Sequence, residues 1–429
     1  MPLDIFALFF TKYLHSEEKC FIIGETAEKR FLYKGHVFPI CMCRRTELAA
    51  AILFRECKEC KECKECKTGV NKTSLISISE EETTMGSIPK TMQAVIFESE
   101  GVTRCVEKPV PVIQKQDEVL LKILAASVCG SDLGITAVPQ KHFATPGVIL
   151  GHECVAQIVE MGEENDEFKV GDRVLVNPMI PCQDCDYCKV GQINMCQHVG
   201  SVGEDCDGVF AEYFVCKRSL LYHIADDVSL DLAVFSEPLA CAMNGFKRLH
   251  FMPGQSVLIY GAGPIGLLFA KLCKAAGASF VFLSEMAPFR IDFARERSGA
   301  DRVINSATED AGAIVRGMTG QTGADIVIDT VGMLFDKAIA DVAVEGTILL
   351  FGINDRMSQT VKQYDITRKE VTIVSSYATH YTFPYVAKMM SNQVLDLLPL
   401  LTHRLTLEEL PEGIEMLRRG EAMKVVIHP

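Results

Sequence analysis

The chain has 429 residues, 48% of them hydrophobic and 23% charged, a composition typical of globular proteins and not of disordered or collagen-like chains. A formal charge of −13 argues against a protein that binds nucleic-acid phosphates, and no uninterrupted apolar run approaches the ~18 residues of a membrane span. At about 150 residues per domain, the length predicts about three domains.

Residues 1–91 differ in composition from the rest of the chain. They hold 7 of the 18 cysteines, four of which recur at every third position in ECKECKECKECK, residues 56–67. This spacing is similar to that of iron–sulfur runs, but those end with a wider gap and a Pro. We therefore interpret the repeat as a low-complexity expansion without an ordered site. We place a boundary at 85–92, where Met85 and Met92 are both candidate translation starts.

The start of the chain, MPLDIFALFF, is apolar but has no leading positive charge, so it makes a poor signal peptide. We therefore expect a cytoplasmic protein, in which thiols stay reduced. The cysteines are accordingly interpreted as metal ligands or core residues in preference to disulfides.

Two regions with different sequence patterns follow residue 91. Residues 92–240 alternate short apolar stretches with Gly and Pro, which predicts an antiparallel β-rich domain. Residues 241–379 alternate apolar strands with helices, which predicts a buried parallel sheet with helices on both faces. The tail, 380–429, contains one amphipathic helix and a final strand that we expect to complete the first domain.

GAGPIG, residues 261–266, directly follows the strand SVLIY and opens a helix. This is the arrangement of a dinucleotide-binding turn: Gly261 permits the turn, Gly263 lets the backbone approach the pyrophosphate, and Gly266 lets helix and strand pack closely. Ile265 begins the apolar face of the helix, whose N-terminus would present free N–H donors to the phosphates.

Glu285 ends the next strand, 19 residues beyond Gly266, where this motif places an acid. A carboxylate there accepts hydrogen bonds from the ribose hydroxyls and repels a 2′-phosphate, so we predict NAD and not NADP. The alternative is a surface Glu at a strand end. Arg290 lies close enough in sequence to stack on adenine, and a solvated helix charge is its alternative.

Four cysteines with gaps of two, two and seven residues follow one another in PCQDCDYCKVGQINMC: Cys182, Cys185, Cys188 and Cys196. Thiolates at such spacing wrap one tetrahedral Zn²⁺ and leave no open position, which is the pattern of a structural site. Free thiols in a loop would instead invite oxidation. We predict a structural zinc here.

A second group of metal-ligand residue types is dispersed. Cys129 begins CGSD, His152 and Glu153 complete GHE, and Glu237 begins EPLACA. A catalytic zinc takes three protein ligands of these types and keeps one open position. Taken singly, each also fits a structural role, as a core Cys, a turn His or a helix N-terminal acid. Only their order along the chain makes the group specific.

In that order, CGSD, GHE, the four cysteines, EPLACA, GAGPIG and THRLTLEE resemble the zinc-containing medium-chain dehydrogenase/reductase family, nearest its polyol dehydrogenase branch. The resemblance covers residues 92–429. It implies an α/β protein with a GroES-like β-rich catalytic domain and a Rossmann doubly wound parallel-sheet domain. It also implies a cleft between them that holds the active site, one catalytic and one structural zinc per chain, and NAD.

The resemblance further implies that Cys129 and His152 bind the catalytic zinc. Glu153 would be a further ligand or would support one, and Glu237 would be a ligand or the partner of the bound water. Adjacent side chains on a strand face opposite ways, so His152 and Glu153 reach one metal only if the backbone turns, and Gly151 makes that turn possible.

Two polar residues follow the zinc Cys. By the same resemblance, Ser131 would hydrogen-bond the substrate oxygen and pass its proton outward, while Asp132 would hold the ring of His152. The alternative is that Ser131 and Asp132 cap the following turn. The family often has a His where this chain has Gly134, so the proton must leave through water or another group.

The sorbitol dehydrogenases of the family have a Tyr where this chain has Ile135, and an Arg-Tyr pair at about the place of Ala378 and Thr379. Three polar contacts for a long polyol are therefore absent, and we do not expect sorbitol as the substrate.

Together these features predict a zinc- and NAD-dependent dehydrogenase that interconverts a secondary alcohol (a diol, polyol or related hydroxy compound) and its ketone by hydride transfer. The alternatives are a zinc-independent reductase of the same fold and a cofactor-binding redox sensor that uses the N-terminal cysteines. We expect a small-molecule substrate, a homodimer or homotetramer, and neither a nucleic-acid nor a membrane partner.

Overall fold

A computed structural model describes residues 88–429, together with the backbone of three N-terminal strands. These strands, β1 (Phe21–Ile23), β2 (Arg30–Tyr33) and β3 (His36–Pro39), form an antiparallel sheet in a compact unit that ends at Glu82. The ECK repeat and Met85 lie outside the described residues. A second compact unit, Thr83–Pro429, contains everything discussed below. Within residues 88–429 no helix is both long enough and apolar enough to cross a bilayer.

The β-rich half of this unit begins with short strands. They are β4 (Thr91–Ser99), β5 (Val102–Pro109), β6 (Glu118–Ser127), β7 (Glu153–Met161), β8 (Arg173–Val176), β9 (Met179–Ile180), β10 (Gly200–Ser201), β11 (Tyr213–Lys217) and β12 (Leu221–His223). The helices among them are α1 (Gly130–Ile135), α2 (Asp186–Lys189) and α3 (Leu230–Ala233). β6, β7 and β8 pair antiparallel, and the Ser127 end of β6 is fully buried.

A six-stranded parallel sheet forms the other half. Its strands are β13 (Ser256–Tyr260), β14 (Phe280–Glu285), β15 (Arg302–Asn305), β16 (Ala324–Asp329), β17 (Val342–Leu350) and β18 (Thr372–Ser375). They lie in the order β15-β14-β13-β16-β17-β18, so the winding reverses beside β13. All five residues of β13 are buried, as the central strand of a doubly wound sheet requires.

Helices cover this sheet and lead into the tail. They are α4 (Ser236–Arg248), α5 (Pro264–Ala275), α6 (Pro288–Arg297), α7 (Ala311–Thr319), α8 (Phe335–Asp341), α9 (Gln363–Lys369), α10 (Phe383–Ser391) and α11 (Leu410–Arg418). The tail adds strands β19 (His403–Leu405) and β20 (Val425–Ile427). β20 pairs antiparallel with β6, which gives a sheet in the order β12-β8-β7-β6-β20-β19 with β11 also beside β6.

The chain passes between the two halves twice. α4 leads into β13, and residues 376–382, the return connection, lead from β18 to α10. One hydrophobic core spans the junction, with Val155 of β7, Phe235 before α4 and Phe269 of α5 among its members. The two crossings and this shared core set the position of the site described next.

Candidate active site

Three side chains converge where β6 ends and β7 begins. Cys129, His152 and Glu153 each offer a ligand atom, and these atoms all lie within 4.8 Å of one another. Gly151 has φ 88°, a left-handed conformation that favours glycine, and so provides the backbone turn that brings the neighbours His152 and Glu153 to one place. A thiol, an imidazole and a carboxylate are ligands that a catalytic zinc uses, so this group fits the ion.

The carboxylate of Glu153 is fixed by two buried hydrogen-bond donors. Glu153 is 1% exposed, and its Oε2 accepts hydrogen bonds from the Ser127 hydroxyl and the Lys424 ammonium. Lys424 is also buried and donates to the carbonyl oxygen of Val128 at 3.2 Å. Because Oε2 receives both donors, Oε1 has the greater freedom to bind a metal. Neither Ser127 nor Lys424 belongs to a motif, and the sequence analysis missed both.

Glu237 lies at the start of α4, beside this group but outside it. Its Oε1 accepts a hydrogen bond from the Cys241 thiol at 3.2 Å, and burial raises the pKa of Glu237. Burial by itself lowers the pKa of His152, but the neighbouring Cys129, Asp132 and Glu237 outweigh it, and the pKa lies well above the usual value. The site is therefore a dense, buried set of interacting ionisable groups.

Ser131 and Asp132 lie in the first turn of α1. The Ser131 hydroxyl is 3.5 Å from Nε2 of His152, and Oδ2 of Asp132 accepts the backbone N–H of Cys129 at 2.8 Å. Asp132 thus caps the turn that follows Cys129, as in the alternative given in the sequence analysis. Its other oxygen, Oδ1, is buried without a hydrogen-bond partner among residues 88–429. Burial raises the pKa of Asp132 to about 6.

His142 occupies the space beside Gly134. A Cβ atom at Gly134 would lie 2.8 Å from Cδ2 of His142, whose side chain is exposed. The imidazole therefore fills the space that a side chain at position 134 would take. His142 lies eight residues further along the chain, and no sequence pattern connects the two positions.

The four lobe cysteines form the second ligand group. Their Sγ atoms all lie within 4.8 Å of one another: Cys182, Cys185, Cys188 and Cys196. Backbone N–H groups point at the sulfurs, such as that of Cys182 at 3.2 Å from Cys196 Sγ. Hydrogen bonds from the backbone N–H groups of Cys188 and Gln197 lower the pKa of Cys185 to about 6. Such donors favour thiolates, so four sulfurs at this spacing fit a tetrahedral zinc.

The glycine turn lies at the carboxyl end of β13. Gly261 has φ 93°, and a Cβ there would lie 2.6 Å from the Thr330 hydroxyl oxygen. A Cβ at Gly266 would collide with the carbonyl oxygen of Gly261, so helix and turn approach as closely as the motif predicts. Gly263 immediately precedes α5, and half-buried Ile265 is the second residue of that helix. The N–H groups at this helix start are placed to receive a phosphate.

Glu285 ends β14 beside this turn and is 8% exposed. Its Oε2 accepts the N–H of Ala262 at 3.0 Å, and its Oε1 accepts the N–H of Met286 at 2.7 Å. Nη1 of Arg290 lies 3.9 Å from Oε2 of Glu285 and would be 3.7 Å from a Cβ at Gly263. An acid and a base therefore flank the turn where an adenosine ribose would lie.

Family models match both halves of the chain. The model described as alcohol dehydrogenase GroES-like domain matches residues 115–226, and the one described as zinc-binding dehydrogenase matches residues 264–392. Together they cover β6 to β12 of the β-rich half and the other half from α5 to α10.

Curated proteins and solved structures match over almost their whole length. A sorbitol dehydrogenase of Bacillus subtilis (strain 168) is 29% identical over 80% of this chain and 99% of the relative. An L-threonine 3-dehydrogenase of Caldanaerobacter subterraneus subsp. tengcongensis is 33% identical over 79% of this chain and 99% of the relative. The crystal structure of a zinc-binding dehydrogenase from Sinorhizobium meliloti 1021, bound to NADP, superposes with a TM-score of 0.75 at 27% identity, covering 80% of this chain and all of that one.

Proposed function

Because the chain belongs to the zinc-containing medium-chain dehydrogenase/reductase family, we propose that it oxidises a small secondary alcohol to its ketone with NAD and catalyses the reverse reduction. The predicted family, α/β fold class and reaction class, a zinc- and nicotinamide-dependent dehydrogenase, are confirmed. The proposed reaction rests chiefly on one observation. The ligand atoms of Cys129, His152 and Glu153 lie within 4.8 Å of one another, in the same compact unit as the glycine turn.

The residues divide the chemistry among them. Cys129, His152 and Glu153 would hold a zinc ion that, when bound, supplies a Lewis acid and lowers the pKa of the substrate hydroxyl. Ser131 lies 3.5 Å from His152 and would accept the hydroxyl proton. We infer that His142, whose exposed imidazole lies against Gly134, receives that proton on its way to solvent.

NAD, when bound at the glycine turn and the carboxyl ends of the parallel strands, would supply the acceptor for the hydride of the carbinol carbon. The buried walls around Glu153 and Glu237 exclude water, which strengthens every electrostatic interaction in the site.

The position of Glu285 supports NAD in preference to NADP. Its carboxylate is buried beneath the glycine turn and accepts three backbone N–H groups, two on Oε1 and one on Oε2, so Oε2 keeps a lone pair for a ribose hydroxyl. A 2′-phosphate would bring a second negative charge against it. Arg290 would lie against the adenine side of the same pocket.

The return connection supports a small substrate. Ala378 has no polar side-chain atom. Thr379 is 2% exposed, and its hydroxyl donates to Oδ1 of Asn177 at 3.2 Å. Neither residue is therefore available to bind the far hydroxyls of a long polyol. A diol or a short hydroxy compound needs no such contacts.

Three further proposals concern the whole protein. None of the eleven cysteines within residues 88–429 forms a disulfide, which supports the cytoplasm as its location. β18 is the last strand of its sheet among the described residues, and its Ile373 is 38% exposed, which supports a homodimer joined at that edge. We also propose two domains: residues 92–240 with 380–429 form the catalytic domain, and residues 241–379 form the cofactor domain. The first boundary lies within α4, the helix that joins the two sheets.

The test is NADH formation by the purified full chain on a panel of alcohols, diols, sugar alcohols and hydroxy amino acids, with NAD and NADP run side by side and zinc measured by metal analysis. We expect turnover of at least one small secondary alcohol, faster with NAD, and about two zinc ions per chain. No turnover on any member, or an active protein without zinc, would reject the proposal. The zinc-independent alternative is not favoured, because both ligand groups are assembled.

A further inference from the structure

The cysteine lobe, residues 182–196, contacts the return connection. The Asn194 side-chain amide donates to the carbonyl oxygen of Tyr377 at 3.0 Å, and Nε2 of His380 donates to the carbonyl oxygen of Gly191 at 2.8 Å. Asn194 is 3% exposed, so its amide has no alternative partner in bulk water. Asn194 of the lobe therefore holds Tyr377 of the connection, and Gly191 holds His380.

α4 contacts the same residues from the other side. The Asn244 side-chain amide donates to the carbonyl oxygens of Tyr377, at 3.2 Å, and of Ala378, at 2.9 Å. Asn244 is 3% exposed and lies two turns after Glu237 on the same helix. The carbonyl of Tyr377 is thus shared by the lobe and by the helix that carries an acid of the active site.

The backbone of the return connection is strained where these contacts act. Ala378 has φ 50° and Tyr381 has φ 53°, left-handed conformations that a residue with a Cβ adopts at a cost. Such conformations persist only when surrounding contacts over-determine them. Here the polar contacts from Asn194, Asn244 and Gly191 supply that constraint.

The connection begins at the edge of the sheet where the cofactor binds. Glu285 at the end of β14 marks the adenosine side, and the glycine turn after β13 marks the pyrophosphate. The nicotinamide half must then extend across the ends of β16, β17 and β18. Residues 376–382 follow directly from β18 and so border the nicotinamide half.

We propose that the metal-bound cysteine lobe positions the return connection for cofactor binding, with Asn194 and His380 as the positioning residues that join them. This inference deepens the proposed function and rests on it. The lobe metal orders Gly191 and Asn194, these hold Tyr377 and His380, and the connection then presents a preorganised border to the nicotinamide. Losing either contact lets the strained connection relax, and the cofactor must order it again on binding.

The test compares the full-length protein with three variants of the contact residues, one control variant and one variant of the lobe. Asn194→Asp keeps the shape but replaces the amide donor by an acceptor that faces the Tyr377 carbonyl. His380→Gln keeps a donor at a similar reach and serves as the conservative variant, whereas His380→Ala removes it. Asn392→Ala is the matched control, since its amide only caps α10 through the Lys388 carbonyl.

Two measurements apply to each variant: amide hydrogen exchange of residues 376–382 by mass spectrometry, and NAD affinity by titration calorimetry. We expect exchange about tenfold faster and NAD binding about fivefold weaker in Asn194→Asp and His380→Ala, with zinc content unchanged. His380→Gln and Asn392→Ala should resemble the parent. A Cys185→Ser variant, which loses the lobe zinc, should show the same faster exchange in 376–382.

Unchanged exchange in Asn194→Asp and in Cys185→Ser would overturn the proposal. A purely structural role would lower the melting temperature of Asn194→Asp while leaving exchange at 376–382 and NAD affinity unchanged, which would overturn it equally. Neither measurement needs turnover, so a failure of the substrate panel and a failure of this inference are told apart.

Discussion

Lys424 and Glu153 form an ion pair in which neither side chain exposes more than 4% of its surface. Lys424 immediately precedes β20, Glu153 begins β7, and both strands pair with β6. A carboxylate at the depth of Glu153 is costly without a partner, because desolvation of a buried charge amounts to several kcal/mol. Lys424 offsets that cost and, with Ser127, sets the orientation of a candidate metal ligand.

Removing Lys424 should therefore destabilise the protein strongly. We expect Lys424→Met to lower the free energy of unfolding by about 3 kcal/mol or more, since it leaves a buried charge unpaired, and Lys424→Arg to lose less. The measurement is chemical denaturation with and without zinc, and the loss should be larger without it, because a bound zinc ion would itself offset the charge of Glu153. In the double variant with Glu153→Gln, the two effects should fall short of additivity by about 1 kcal/mol or more. Additive effects would show that the pair contributes nothing.

The catalytic zinc should depend on Cys129. We expect Cys129→Ser to lower zinc content by one equivalent and turnover by at least about 100-fold, because even residues that only support a metal ligand cost 10–100-fold. Cys273→Ala is the control, since Cys273 is buried in the core around α5, away from both ligand groups. Metal analysis and initial rates check both variants. Full activity in Cys129→Ser would remove this residue from the site.

Cofactor preference should follow the charge of Glu285. In Glu285→Gln the side-chain oxygen still accepts a backbone N–H, but the repulsion of a 2′-phosphate is gone. We expect the ratio of kcat/KM with NADP to that with NAD to rise by about tenfold or more, which corresponds to about 1.4 kcal/mol. Arg290→Gln, which keeps Glu285, should shift the ratio further towards NAD or leave it unchanged. An unaltered ratio in Glu285→Gln would place the discrimination elsewhere.

The edge of the parallel sheet should control assembly. We expect Ile373→Lys to shift the protein towards monomer in light scattering, because a charge on an edge strand opposes strand pairing between copies. Val112→Lys is the control, since Val112 is 69% exposed in a loop outside every sheet. A parent protein that is already monomeric, or an Ile373→Lys variant that stays dimeric, would contradict the proposed interface.

Features formed by residues close together in the chain could be predicted from the sequence. The glycine turn with Glu285, and the four cysteines of the lobe, each lie within about one supersecondary unit, where spacing alone dictates geometry. The dispersed group of Cys129 and His152 was reached only through its order along the chain, which the structure then brings within 4.8 Å.

Contacts between residues far apart in the chain could not be predicted in this way. Lys424 reaches Glu153 across 271 positions, and Asn244 reaches Ala378 across 134. A lone Lys before a strand or a lone Asn in a helix has many plausible surroundings. Only the pairing of β20 with β6, or the path of the return connection, selects one. Position 134 shows the same limit, since the space left by Gly134 is filled by His142 from a separate loop.

The pairing of β20 with β6 also has a consequence for how the protein is made. The parallel sheet is continuous in the chain from β13 to β18, so it has all its strands as soon as Ser375 has left the ribosome. The β-rich half must wait for about fifty more residues, because its central strand lacks a neighbour and Glu153 lacks its counter-charge until Lys424 is synthesised. Assembly of the candidate active site is therefore expected late in synthesis, although Cys129, the first of its proposed ligands, is among the early residues of the unit.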